Sequence, residues 1–313
     1  MKILILREPQ TPRGTYPEGL SGGSCYLTDM LLHGLRNKFG NDIVEYERAW
    51  WMYYEDFGPG KRDPKLYGHQ SFSIYRSIGS DKDVDRTDIE TKIRNQYYDF
   101  IVFGYTHYGL RPGSWELVTN HYPKNKIAYI DGGDLWSDLK PNLIDKCIYF
   151  KRELYESTPG LHPISFAIPR EKIGTVYREK SEFIAPMDPR NPSSYIYKEE
   201  RPYYEQYANS LFGITMKKNG WDCLRHYEIM ANNCIPLFLD INQCPENIMK
   251  TLPKEQLKEA LSLVNHNGVE WFKEGTGFDK WFNLNDQIQD HFRKYCTTDA
   301  LAMQFIDTMN SYN

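Results

Sequence analysis

The chain has 313 residues, 40% of them hydrophobic and 26% charged, enough to bury a sizeable core and a length that suits two domains of ordinary size. A formal net charge of −4 argues against a general electrostatic pull toward nucleic acid or anionic membrane, while leaving room for a local basic groove. No run approaches the roughly 18 apolar residues that would cross a bilayer, and MKILILREPQ is too short and too soon charged for a signal peptide, so a cytoplasmic location is expected.

Six cysteines (Cys25, Cys147, Cys223, Cys234, Cys244, Cys296) lack CxxC spacing, which points to free thiols rather than to zinc or a disulfide framework. The 24 Tyr, 15 Phe and 7 Trp offer rings with polar edges, suited to sugars and bases and equally to half-buried packing positions.

In chain order, KILIL (residues 2–6) reads as a first buried strand of a parallel sheet. A Pro- and Gly-rich loop follows, ending at Gly22, Gly23 and Ser24. Leu27, Met30, Leu31, Leu35 and Phe39 then have the spacing of a helix that stops at Gly40. Asp42 to Glu47 reads as the second strand. Tyr98 to Gly109 and Lys126 to Trp136 read as later strands running into Gly-containing loops. Strands alternating with helices imply a doubly wound α/β domain, whose ligands gather at the carboxyl ends of the strands. The Gly22-Gly23 loop, His107, Asp131 and Asp134 would all lie there.

Gly58 to Arg86 interrupts this pattern with Gly, Pro and mixed charge, and reads as an excursion over the site. A Pro-rich stretch without helical period after residue 157 places the domain boundary near residue 145, giving domains of 1–145 and 146–313. The second half repeats the theme: a strand at Asn209 to Lys217, a helix at Asp222 to Asn232 and a strand at Cys234 to Ile241 form a βαβ unit. The carboxyl end has helical spacing and is expected to pack helices against one or both domains.

GWDCLRHYEIMANNCIPLFLD (220–240) concentrates the chemistry. Asp222 is placed to cap the helix, whose first turn presents unpaired N–H groups and a positive dipole end. Arg225 and Glu228 share a face, while Leu224, Tyr227 and Ala231 line another. A cation near the helix start and a carboxylate one turn deeper suit a ligand with a diphosphate followed by a ribose. Arg225, with Lys217 or Lys218, would neutralise phosphate oxygens, and Glu228 would take the ribose hydroxyls. The competing reading is an ordinary Arg225/Glu228 ion pair on a solvated face, worth tenths of a kcal/mol. Against it stand the flanking buried strands, the Lys217-Lys218-Asn219-Gly220 loop, and the crowding of Trp221 and His226 into the same turn.

This stretch resembles the donor-binding motif of GT-B glycosyltransferases, including the exostosin-like group, in which a Glu-bearing helix is followed by Ala, small or polar residues, then Ile-Pro and a strand; Glu228, Ala231, Ile235 and Pro236 match. The wider chain, through DMLLHGLRNKFGNDIVEYE, DFIVFG, YPKNKIAYIDGGD, IYFKREL and PISFAIP, is similar to glycosyltransferase-like proteins of phages and large DNA viruses. The resemblance implies two Rossmann-like domains with a nucleotide-sugar cleft between them. The nucleotide-sugar, UDP-linked by expectation, is a co-substrate, with no other cofactor and no metal. A second Glu that many retaining members carry seven residues earlier falls here at Gly220 or Trp221, so retention is not implied. DGGD does not have the spacing of a metal-binding DxD motif.

Transfer with inversion needs a general base facing the cleft. Asp134 is the first choice and His107 the second. Asp131, which also suits a turn before Gly132-Gly133, and Asp29, just beyond the glycine loop, complete the set. The acceptor is either a glycan or a 5-hydroxymethylated cytosine in phage DNA, for which Lys61, Arg62, Lys65 and Arg76 would supply phosphate contacts. A sugar-nucleotide epimerase and a non-catalytic nucleotide-sugar-binding protein are the alternatives.

Overall fold

The apolar runs of the first half become one parallel sheet in the computed structural model, which describes residues 1–7, 25–54, 72–74, 76–105, 111–174, 179–273 and 275–312. Its strands are β1 (Ile3–Leu6), β2 (Ile43–Glu45), β3 (Phe100–Gly104), β4 (Ile127–Asp131), β5 (Ile148–Lys151) and β6 (Leu161–Pro163), in the order β2-β1-β3-β4-β5-β6. β1 to β5 are buried along their whole length, which is why their sequences read as continuous apolar runs rather than alternating ones. Helices α1 (Tyr26–Phe39), α2 (Ile89–Arg94), α3 (Ser114–Thr119) and α4 (Pro141–Ile144) connect them. α1 ends where Gly40 turns to φ +60°, a conformation that favours glycine. The strand order reverses between β1 and β3, the place where such sheets open a crevice at their carboxyl ends.

The second sheet is smaller. β7 (Glu182–Ile184), β8 (Ser210–Thr215) and β9 (Ile235–Phe238) lie parallel in that order, with α5 (Glu200–Ala208) and α6 (Leu224–Ala231) as the crossovers. α7 (Lys254–Asn267) packs on β9 and α8 (Gly275–Tyr295) on α6. α8 is fastened from two positions: Trp281 Nε1 donates to the Leu211 carbonyl (3.1 Å) and Gln289 Nε2 to the Met230 carbonyl (2.8 Å). The α/β class and the two parallel sheets agree with the sequence reading.

Three details differ from it. The second strand stops at Glu45, whose buried carboxylate meets the guanidinium groups of Arg36 and Arg86. β5 and β6 lie beyond residue 145 yet pair with β4 and with each other, so the chain changes sheet between Pro163 and Glu182. The last helix, α9 (Thr298–Asn310), leaves the second unit and packs on α1 of the first. Gly34 permits that contact: a Cβ there would lie 1.9 Å from the Thr298 carbonyl oxygen. The outgoing and returning crossings are tied together, Ile168 N–H donating to the Cys296 carbonyl and Thr298 N–H to the Ile168 carbonyl, both at 3.0 Å.

Candidate functional site

The carboxyl ends of β4 and β5 meet the turn that leads from β8 into α6. Residues 220–222 carry no regular structure, and α6 begins at Leu224 with Cys223 at its cap position and no side-chain cap. Asp222 does not cap the helix, contrary to expectation, because its carboxylate is used elsewhere: Oδ2 accepts the Phe166 N–H (2.7 Å) and Oδ1 the Tyr227 hydroxyl (3.0 Å). Burial pushes its pKa up to about 7, against the pull of Arg152.

α6 has no solvated face. Every residue from His226 to Ala231 is buried and Arg225 is half-buried, since α5 and α8 pack on it from outside the βαβ unit. Arg225 and Glu228 bond to other groups rather than to each other. Arg225 Nε donates to Thr215 Oγ1 (3.1 Å) and its Nη2 lies 3.4 Å from the Met216 carbonyl, both at the end of β8. Glu228, 2% exposed, accepts the Ser73 hydroxyl on Oε1 (2.7 Å) and the Tyr203 hydroxyl on Oε2 (2.9 Å). Ser73 is also within 2.9 Å of the Tyr204 hydroxyl. Burial raises Glu228 to about 7, the two hydroxyl donors opposing the rise.

His226 belongs to the scaffold rather than to a ligand-facing surface. The Trp221 carbonyl can only accept, so Nε2 carries the proton it receives (2.8 Å), and Nδ1 accepts from Thr215 Oγ1 (2.8 Å). The ring stacks on Phe238 with centroids 4.3 Å apart, and burial, aided by Arg225, lowers its pKa to about 3, keeping it neutral. Arg225, Thr215, His226 and the Trp221 carbonyl thus form one chain of hydrogen bonds that fixes where Arg225 sits.

Lys217 is half-buried with Nζ 5.1 Å above the Trp221 ring, while Lys218 donates from Nζ to the Pro189 carbonyl (2.5 Å). The indole N–H of Trp221 is buried and has no hydrogen-bond partner among the described residues. Gly220 sits where a Cβ would come within 2.6 Å of Glu153 Oε1. Gly22, Gly23 and His107 lie outside the described residues.

Of the expected bases, two are enclosed. Asp131 is fully buried, taking the Tyr149 hydroxyl (2.5 Å), the Gly133 N–H (2.9 Å) and, at 3.1 Å, the Lys151 ammonium. Asp29 is fully buried between the Arg7 guanidinium and the Trp51 indole N–H. Neither carboxylate can reach an acceptor hydroxyl without giving up those bonds. Asp134 differs: its side chain is 52% exposed, with Oδ1 accepting from Arg152.

The sequence reading passed over Arg152 and Glu153. Arg152 is buried, stacks 4.6 Å from the Phe166 ring centroid, and donates to the Gly132 carbonyl, the Asp222 carbonyl and Asp134. Glu153 is fully buried and accepts the N–H groups of Trp221 (3.1 Å) and Asp222 (2.9 Å). A signal existed in Lys151-Arg152-Glu153, three charges directly after a buried strand and at its carboxyl end. Among the described residues no cluster of three or more His, Cys, Asp or Glu could hold a metal ion, and no helix is long and apolar enough to cross a membrane.

No family model matches the chain, and no curated protein matches it. Among solved structures, an alpha-glucosyltransferase in complex with UDP-glucose and DNA containing an abasic site is similar across 98% of this chain and 98% of that one, at 10% identity and a TM-score of 0.47. At that identity and score the likeness says nothing about which side chains act here.

Proposed function

We propose that the protein is a metal-independent glycosyltransferase of GT-B type that moves a sugar from a nucleotide-sugar, UDP-linked by preference, to an acceptor hydroxyl. The observation that carries this is Glu228: a carboxylate 2% exposed, one turn into the helix between two parallel strands, each oxygen already holding a hydroxyl. A solvated ion pair would show none of this. A buried carboxylate that binds two hydroxyls is matched to a vicinal diol, and a ribose exchanging for Ser73 would meet the same acceptor atoms.

The rest of α6 completes the donor site. The positive end of the helix, with Arg225 held by Thr215, would face the negative charge of a diphosphate; of the first-turn N–H groups, that of His226 is already taken by the Cys223 carbonyl (3.1 Å). In transfer, the bond between the anomeric carbon and the diphosphate oxygen breaks as the acceptor oxygen bonds to that carbon. The diphosphate leaves with the electron pair, stabilised by Arg225 and the helix end. The acceptor proton goes to Asp134, the exposed carboxylate at the end of β4.

For the acceptor, a glycan and a 5-hydroxymethylated cytosine in DNA both present a primary or secondary hydroxyl. Of the basic residues proposed for DNA phosphates, Arg76 is described, and Lys61, Arg62 and Lys65 lie outside the described residues.

A binding screen with UDP-, GDP-, ADP- and CMP-sugars on the intact protein and on Glu228→Ala tests the donor reading. The best donor is then offered to hydroxymethylcytosine DNA and to simple glycosides. Donor binding lost in the variant, followed by product on one acceptor, supports the proposal. Turnover of the donor without acceptor would identify an epimerase instead. Absence of donor binding, or equal binding by the variant, refutes it.

A further inference from the structure

We infer that Glu153 is a positioning residue for the donor diphosphate, acting from the first unit on the anion-binding end of α6 in the second; this rests on the donor reading of α6. Glu153 is the residue two past the end of β5, and its carboxylate takes two consecutive backbone N–H groups, those of Trp221 and Asp222, immediately before the helix. These are the strongest class of neutral-donor hydrogen bonds, because the acceptor carries the charge and is out of water. Burial raises the Glu153 pKa, with Arg152 opposing the rise.

Arg152 holds the arrangement from the other side. One guanidinium touches the Gly132 carbonyl and Asp134 on the first unit and the Asp222 carbonyl on the second, and lies 3.4 Å from Glu153. Trp221 and Asp222 are therefore held at their N–H groups by Glu153, and Asp222 also at its C=O by Arg152, consecutive side chains of one strand end. The grip has no slack, since a Cβ at Gly220 would stand 2.6 Å from Glu153 Oε1 and 3.2 Å from the Asp134 carbonyl.

The consequence is a coupling between units. The Trp221 carbonyl, fixed by this turn, accepts from His226, and His226 accepts from Thr215, the group that orients Arg225. Withdrawing Glu153 frees the turn and, through that chain of bonds, the guanidinium that faces the diphosphate. The same Arg152 orients Asp134, so donor end and acceptor base are set by one pair of residues.

The test measures dissociation constants for UDP and UMP on the intact protein, on Glu153→Gln, which keeps shape but turns an amide N–H toward one of the two donors, and on Gly220→Ala, which displaces the carboxylate without altering it. Both variants should bind UDP about tenfold more weakly, the size of one lost charge-assisted hydrogen bond, with a smaller change for UMP. Faster hydrogen exchange at the Trp221 and Asp222 amides should accompany the loss. If Glu153→Gln does not fold, the comparison on Gly220→Ala decides. UDP binding unchanged in the folded variants, or UDP and UMP weakened alike, overturns the positioning role while the donor site stands. Failure of the intact protein to bind either nucleotide removes the donor site and this role together.

Discussion

Replacing Glu228 by Gln should make the protein more stable at neutral pH while weakening donor binding, since the hydroxyl bonds lose their charged acceptor. Burial lifts the Glu228 carboxyl from 4.5 to about 7 in the folded chain. The native state therefore holds a proton there, between those two values, that the unfolded state has released. Stability from this group is complete below pH 4.5 and is lost as the pH rises toward 7, by on the order of 3 kcal/mol. Glutamine cannot ionise and has nearly the same shape. Its oxygen can accept one hydroxyl while its amide donates to the other, because the Ser73 and Tyr203 hydroxyls both rotate. Asp222, also raised to about 7, contributes the same trend to both proteins, so the difference between them isolates Glu228. Urea unfolding at intervals from pH 4.5 to 8 is the assay. The two midpoints should nearly coincide at the acid end and diverge toward pH 8 in favour of the variant. Parallel profiles would refute the argument that Glu228 is a desolvated acid held ready for a ligand.

Asp134→Asn keeps an oxygen for Arg152 but cannot take a proton, so turnover should fall about 10²- to 10⁴-fold with donor affinity unchanged; transfer at the parent rate would exclude Asp134 as the base. Asp131→Asn leaves the fully buried Lys151 ammonium without its carboxylate and should destabilise the chain by about 3 kcal/mol or more, measured by urea unfolding. Any activity lost in that variant then reflects folding, and a variant of parent stability would contradict the ion-pair reading. Gly34→Ala should force α9 away from α1, at a cost of about 1–3 kcal/mol seen as a lower melting temperature, because its Cβ would lie 1.9 Å from the Thr298 oxygen and 3.0 Å from Ala302 Cβ. An unchanged melting temperature would mean that this crossing has room to spare.

Much of the fold was legible in the sequence because buried parallel strands have to be apolar along their whole length. KILIL, DFIVFG and KIAYID could hardly be anything else, and CIPLFLD after a charged helix announced a βαβ unit in the second half. The carboxylate and guanidinium of α6 were legible as a charged pair sharing one face of a helix between two buried strands. Their environment was not. Helical spacing places Arg225 and Glu228 on one face but cannot say that α5 and α8 cover it, and that cover raises the Glu228 pKa and separates the two side chains.

The rest depended on contacts between residues far apart in the chain. Asp131, Asp134 and Asp29 are equivalent in sequence, each just after a strand or early in a helix. Only the packed structure shows that Lys151 and Tyr149 enclose the first, Arg7 and Trp51 enclose the third, and the second stays open. Glu153 meets Trp221 and Asp222 from 68 and 69 residues away, and Ser73 meets Glu228 across 155. Local sequence determined the strands, the helices and the residue types brought to the ends of the sheets, because those follow from periodicity and burial along one element. Tertiary structure alone decided which charges are sealed, which are open and which unit grips the other, because desolvation and hydrogen bonding depend on neighbours that the order of residues does not place side by side.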